Sequence, residues 1–382
     1  MKSATSVKDY YLDDVAVQAF VARKAGVPLE SVALAHIDSS WVYPGDGDYR
    51  GLLAEEDLTE IAFGRETEVE GWIAAAAAIT AELDEPEITT GRHCFSPFEC
   101  GFLAYCRSQE PTTDFPIGWL PRLQSKAVKA LIEEEGLLDM RELSDDLLSI
   151  QQHLVKAHTL AGTTHFDAEK AAATLSTHDL PAYFMDFETI QFAVPIWKGT
   201  RPYQQIPFQF SVHRLDRDRG LQHTPFLDLS GEDPRRAFAE ALIEACGDAG
   251  PIFVYNAGFE RGRVKDLAGR FPDLALALLA LNDRVVDLLP IAREHYYHPS
   301  QQGSWSLKAV LPAVIPELSY EALEGVQDGG MAMEAFLEAL HSEMAPTRRD
   351  QIRAQLDAYC TQDTYALVRL WQVFARRDDL RF

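Results

Sequence analysis

The chain lacks any apolar stretch long enough to cross a membrane. Its longest runs, Trp72–Ile79 and Leu274–Leu281, fall well short of the roughly 20 residues a spanning helix requires. The N-terminus also lacks the basic, apolar and small-residue order of an export signal, so the expected location is cytoplasmic, with no membrane partner. Cysteine is sparse and odd in number, five in 382 residues, which argues against a disulfide framework and for thiols or metal ligands. Basic charge is in short supply: 35 Lys and Arg stand against 59 Asp and Glu, a formal net charge of −24. This argues against an extended, non-specific grip on duplex nucleic acid, because that affinity comes largely from cations displacing counterions. A nuclease is not excluded, since a carboxylate-lined site is itself negative and bound divalent cations reverse the local field. Internal repeats and low-complexity tracts are absent as well.

At this length and with 47% apolar residues, two or three well-packed domains are expected, of α/β class. Residues 1–112 mix helical and strand patterns: Asp13–Ala25 has helical spacing and stops at Gly26, and Ser31–Ile37 reads as a strand. Residues 113–178 read as a charged helical connector broken at Pro116, Pro121, Gly136 and Gly162. From 179 to 382 the order becomes three strands, helix, strand, helix. Ile206–Leu215 alternates as a half-buried strand with Thr224–Leu229 as hairpin partner, Asp233-Pro234 opens a helix, and Pro251–Tyr255 is a buried strand leading into Asn256–Glu260. That order predicts a ribonuclease-H-like mixed sheet flanked by helices.

Within this last region lie four acids and a tyrosine. Asp186 and Glu188 stand two apart in the apolar run Pro181–Ile190, so on a strand they share a face. Tyr359 and Asp363 stand four apart in a helical stretch and share a face there. Glu260 follows the strand 251–255. Such a set suits two Mg²⁺ or Mn²⁺ ions held about 3.5–4 Å apart, because hard cations need oxygen ligands from several chain elements. A lone Asp-x-Glu carries little weight, since chance supplies about one in a chain of average composition; the bland alternative is a strand cap and an ordinary exposed helix pair. Other residues are weighed in the same way. Lys308 is a phosphate contact or an exposed helix lysine, and Arg261, Arg263 and Lys265 are a groove lining or a solvated face. Thr189 fills the strand end, while His295 and His298 are surface or packing residues.

Three motifs, Asp186-Phe-Glu188-Thr189, Asn256-Ala-Gly-Phe-Glu260 and Tyr359-x-x-x-Asp363, make residues 179–382 resemble the DnaQ-like exonucleases, specifically the tyrosine-containing DEDDy branch. The resemblance implies a 3′→5′ exonuclease of single-stranded DNA or RNA. It implies that Asp186 and Asp363 ligate the nucleophile-side metal, that Glu188 helps hold it, that Asp186 bridges to the second ion, that Tyr359 orients the attacking water and that Thr189 touches the terminal nucleotide. One departure is Glu260, where the family usually has Asp; the extra methylene moves the carboxylate by about one carbon–carbon bond. Asp287, at the end of a further strand, is expected as an auxiliary ligand.

A wider resemblance rests on Tyr183–Ile190, Ile206–Ser211, Gly303–Pro312, Ser319-Tyr320 and Asp328-Gly329. These look like a bacterial family of uncharacterised domains joining a RecB-like nuclease half of the PD-(D/E)xK, iron–sulfur type to a DnaQ-like half. In that comparison Lys2 and Gln18 match the last two residues of the RecB-like metal site, as vestiges. The upstream acids have no place in a chain starting at Met1, which implies a partial RecB-like α/β domain, from a naturally shortened protein or a misassigned start. Cys94, Cys100 and Cys106 resemble three of the four ligands of the iron–sulfur cluster; with one missing, a cluster is not expected. Zinc held by these thiolates with His93, or three reduced cysteines, are the alternatives. The alternative function is a non-catalytic nucleic-acid-binding or assembly subunit with a degenerate site. A phosphodiesterase acting on very short oligonucleotides is a third reading, left open by the absence of a long basic, aromatic-studded stripe.

Overall fold

The computed structural model describes residues 1–134, 136–218, 220–318, 323–341 and 343–380, so the Ser319-Tyr320 pair lies outside the described residues. The chain divides into two compact units, Met1–Thr112 with Gln191–Gln204, and Thr113–Ile190 with Gln205–Phe382.

In the first unit, helix α1 (Asp9–Lys24) carries Asp9 in its first turn and Arg23 and Lys24 in its last, charges that suit the helix dipole. Gly26 follows in the left-handed region, φ 82°, where a glycine ends a helix without strain. Strands β1 (Ala33–Ile37) and β2 (Leu53–Asp57) pair antiparallel. Helices α2 (Thr59–Gly64), α3 (Glu66–Thr80) and α4 (Leu103–Gln109) complete the unit. Its core is small, built on Val15, Ala19, Leu34, Leu58 and Ala62. The apolar run Trp72–Ile79 lies on α3, and residues 71–80 are exposed throughout. The 191–204 segment joins this unit through backbone bonds between Tyr43 and residues Gly199 and Thr200.

The second unit is a mixed α/β structure. Its helices are α5 (Lys126–Glu134), α6 (Ile150–Ala161), α7 (Ala168–Leu175), α8 (Arg235–Cys246), α9 (Gly258–Arg270), α10 (Ala275–Asp283), α11 (Leu288–His295), α12 (Leu307–Val314), α13 (Gly329–Ala339) and α14 (Pro346–Phe374). A short pair, β3 (His165–Phe166) and β9 (Tyr296–Tyr297), is antiparallel. The main sheet has β4 (Ala182–Ile190), β5 (Ile206–Asp216), β6 (Gly220–Leu227), β7 (Ile252–Val254) and β8 (Val285–Asp287), in the order β6-β5-β4-β7-β8. The β4–β5 and β5–β6 pairs are antiparallel, while β4–β7 and β7–β8 are parallel.

Alternation along β4 sets the two faces of this sheet. Tyr183, Met185 and Phe187 pack with Phe238 and Leu242 of α8, Val264 and Leu267 of α9, and Leu278 of α10. Phe184, on the other face, packs with Trp371 of α14 at a ring separation of 5.7 Å. Helices therefore cover both faces, which is how a sheet with two apolar sides is buried. The 113–178 stretch does not stand apart as a connector. Ile117, Leu120, Met140, Leu143, Val155 and Leu175 join the same core as Phe184 and Trp371, because their apolar faces have that layer to pack against. Gly303, φ 75°, allows a further close approach: a Cβ there would overlap the Trp119 carbonyl.

Candidate functional site

β4 delivers Asp186 and Glu188 to the face covered by α14, and α14 delivers Tyr359 and Asp363 to the same place. Two contacts fix the register of the helix on the sheet. Gln209 of β5 donates from Nε2 to the Leu356 carbonyl at 2.9 Å, and the Thr364 hydroxyl bonds the Ser211 hydroxyl at 2.6 Å and His213 Nδ1 at 2.8 Å. In the strand register Asp186 faces Ser211 and Glu188 faces Gln209. The clamps thus lie beside the acids they position, above and below Tyr359 and Asp363 along the helix.

One ligand oxygen each from Asp186, Glu188 and Asp363 lies within 4.8 Å of the others. Glu188 and Asp363 are only 8% and 6% exposed, so their charges are poorly screened. Burial, then the neighbouring Asp363, pushes Glu188 up to about 8, although the Lys308 ammonium pulls the other way. Burial raises Asp186 well above the carboxylate range, and Asp363, Glu188 and Glu260 add to it. Acids this close, whose repulsion raises Asp186 and Glu188, could hold a cation, since a divalent ion replaces the mutual repulsion by attraction. The donors are all hard oxygens, which fits Mg²⁺ or Mn²⁺. Burial and the same acids raise the Tyr359 phenol, so its proton stays on.

The cavity here measures about 530 Å³ and is lined by the three acids and Tyr359 together with Asn256, Arg293, Trp305 and Lys308. Lys308 Nζ lies 5.6 Å from the Tyr359 ring centre and donates to the Gln327 carbonyl at 2.5 Å. Trp305 is held by its Nε1 donating to the Tyr296 carbonyl at 2.9 Å, and the Tyr255 hydroxyl donates to the Trp305 carbonyl at 2.8 Å. Gly329 opens α13 beside Glu188; a Cβ on it would stand 3.5 Å from Glu188 Oε2.

The remaining sequence-predicted residues are placed differently. Glu260, in the first turn of α9, is 3% exposed, and among the described residues its Oε2 has no hydrogen-bond partner. Burial pushes it up to about 7. It is close enough to raise Asp186, yet it is not among the side chains grouped within 4.8 Å. Asp287 spends both oxygens on backbone: Oδ1 accepts from Asn256 and Leu289 N–H at 2.9 Å, and Oδ2 from Ala257 N–H at 3.0 Å. It pins the β7–α9 turn, where Asn256 is left-handed at φ 71°, to the start of α11. Arg261 donates to the Val285 carbonyl, and Arg263 pairs with Asp266, so these two brace α9.

In the first unit, Lys2 and Gln18 both reach Asp14, the ammonium at 2.5 Å and the amide at 2.8 Å. Lys2 and Gln18 hold Asp14 below the usual carboxylate range. Cys94 is buried, Cys106 half-buried and Cys100 exposed. Among the described residues, the group formed by Asp186, Glu188 and Asp363 is the one set of three or more such side chains with ligand atoms this close; the three cysteines and His93 do not form one. Sequence reasoning missed Arg293, Gln209, Ser211, His213 and Thr364. Gln209, Ser211 and His213 left a signal, as polar residues at alternate positions of the strand Ile206–Asp216.

Residues 183–306 match a family described as a domain of unknown function, DUF2779. An uncharacterised protein of Mycoplasma pneumoniae is 24% identical over 206 residues, 49% of this chain and 31% of that protein. An uncharacterised protein of Mycoplasma genitalium is 24% identical over 208 residues, with the same shares. The matches therefore span about a third of the length of these curated relatives. No solved structure matches the chain. Among the described residues, no helix is long and apolar enough to cross a membrane.

Proposed function

We propose that the second unit is a divalent-metal-dependent phosphodiesterase, acting as a 3′→5′ exonuclease on single-stranded nucleic acid. The observation that carries this reading is the convergence of Asp186, Glu188 and Asp363 from a strand and a helix, with Tyr359 on the wall of the same cavity. The sheet order, three antiparallel strands followed by two parallel ones, is consistent with a ribonuclease-H-like domain, and the direction of cleavage rests on the DnaQ-like resemblance.

Asp186, Glu188 and Asp363 would hold the metal. When bound, Mg²⁺ or Mn²⁺ supplies positive charge that activates water and offsets charge building on the phosphoryl group. The chain's own residues do the rest. Tyr359, protonated, donates a hydrogen bond that orients the attacking water or a phosphate oxygen. Water oxygen bonds to phosphorus, the bond from phosphorus to the 3′-oxygen breaks, and the departing oxygen takes up a proton. The product is a nucleoside 5′-monophosphate. Trp305 and Tyr255 line the cavity and are tied together by the bond from the Tyr255 hydroxyl.

Glu260 favours a second reading. Its carboxylate stands outside the grouped acids, as it would in a degenerate site that binds nucleic acid without cutting it. Degradation of 5′-labelled single-stranded DNA and RNA with Mg²⁺ or Mn²⁺, beside the Asp186→Asn protein, separates the two. A ladder made only by the unmutated protein supports the exonuclease. Binding without cleavage under every metal condition sinks it in favour of the binding subunit.

A further inference from the structure

Apart from Lys308, the cation on the cavity wall is Arg293, in the last turn of α11. Among the described residues its guanidinium has no side-chain hydrogen bond or ion pair, although it is half-buried. This contrasts with Arg261, Arg284 and Arg235, each of which is spent on a carbonyl or a carboxylate. A position near a helix C-terminus suits any cation, but it does not account for a half-buried one that lines the same cavity as three acids. Asp287 makes that placement firm, because it caps α11 and pins it to the Asn256 turn. A planar fork of donors without a side-chain partner among the described residues, on the wall of this cavity, fits a phosphate that is not the one being cut.

Size and charge limit what carries that phosphate. A cavity of about 530 Å³ falls within the roughly 300–1,000 Å³ of small-ligand sites, enough for one or two nucleotides. Beyond it the chain has a net charge of −24, which repels further phosphates. We infer that Arg293 clamps the phosphate next to the scissile one, and that the preferred substrates are oligonucleotides of a few residues, bound by their 3′ ends. This rests on the exonuclease reading and deepens it.

The test is binding of a 5′-fluorescent trinucleotide and a 5′-fluorescent twenty-nucleotide strand, by anisotropy, with Ca²⁺ in place of the reactive metal. The trinucleotide should bind within threefold of the long strand. Arg293→Gln should weaken both by roughly tenfold to a hundredfold, the effect of losing a charged hydrogen bond. The slope of log affinity against log salt should also fall by about 0.7, one phosphate contact on a single strand. Arg293→Lys should recover part of the loss, and Mn²⁺ affinity, measured by calorimetry, should stay within about threefold, which shows the acid site intact. A larger advantage for the long strand overturns the length assignment, and an unchanged Arg293→Gln protein overturns the clamp. An unmutated protein that binds Mn²⁺ but neither strand sinks the exonuclease reading itself, and the clamp with it.

Discussion

Replacing Glu188 by Gln should make the metal-free protein more stable while weakening its response to metal. Burial and Asp363 move Glu188 from an ordinary 4.5 up to about 8. An acid raised in the fold is held protonated there while the unfolded chain gives its proton up. Its contribution is therefore fully present below pH 4.5 and is lost as the pH rises toward 8. The penalty reaches roughly 3 kcal/mol at pH 7 and levels off near roughly 5 kcal/mol above pH 8. Glutamine keeps the shape and cannot ionise, so Glu188→Gln should gain about that amount over the unmutated protein at pH 8 in a chelator, and little at pH 4.5. Adding Mn²⁺ should narrow the gap: at a hundred times its dissociation constant the ion stabilises the unmutated fold by about 2.7 kcal/mol, and the variant, one ligand short, responds less. Urea denaturation from pH 4.5 to 8.5, with chelator and with Mn²⁺, reads both effects. A stability difference that is flat across this range, or that favours the unmutated protein in chelator at pH 8, would falsify the argument that these acids repel one another in the free site.

Thr364→Val removes the hydroxyl shared by Ser211 and His213. It should cost about 1–3 kcal/mol and lower kcat more than it raises KM, because the register of Asp363 on the sheet loosens; equal kcat at reduced stability would show that the clamp does not position the acid. Thiol labelling of the native chain should begin at Cys100, which is exposed, and should spare Cys246 and Cys360, whose thiols burial raises, Cys246 to about 12. Mass mapping that finds Cys360 labelled first would contradict the packing of α14 on β4.

Much of the site was legible because its parts obey local periodicities. Asp186 and Glu188 share a face through the two-residue repeat of a strand, and Tyr359 and Asp363 through the helical turn, so each pair could be read without knowing what lay opposite. The strand and helix order of 206–260 was equally plain, since apolar alternation and the turn residues agree there. Asp287 was harder. An acid at a strand end reads the same whether it faces a metal or the N–H groups of a neighbouring turn, and here it takes the turn. Glu260 was visible as a motif, but how far its longer side chain stands from the other acids is a distance, which spacing along the chain does not encode. The helices of 113–178 read as a connector because they are charged on one side; their apolar side had an unseen sheet layer to join. Lys2 and Gln18 drew notice singly, while Asp14, the residue they share, drew none.

The elements, the acid pairs on them and the shortage of positive charge are legible in the chain alone, since all three depend on composition and on neighbours within a turn or two. It takes the folded chain for β4 and α14 to bring Asp186, Glu188 and Asp363 within 4.8 Å, for Gln209, Ser211 and His213 to set the helix register, and for Arg293 to line the cavity. These are meetings of residues far apart in the chain, settled by how apolar faces pack and not by any local pattern. The raised pKa values of the acids arise the same way, from burial and proximity that exist only once the fold has formed.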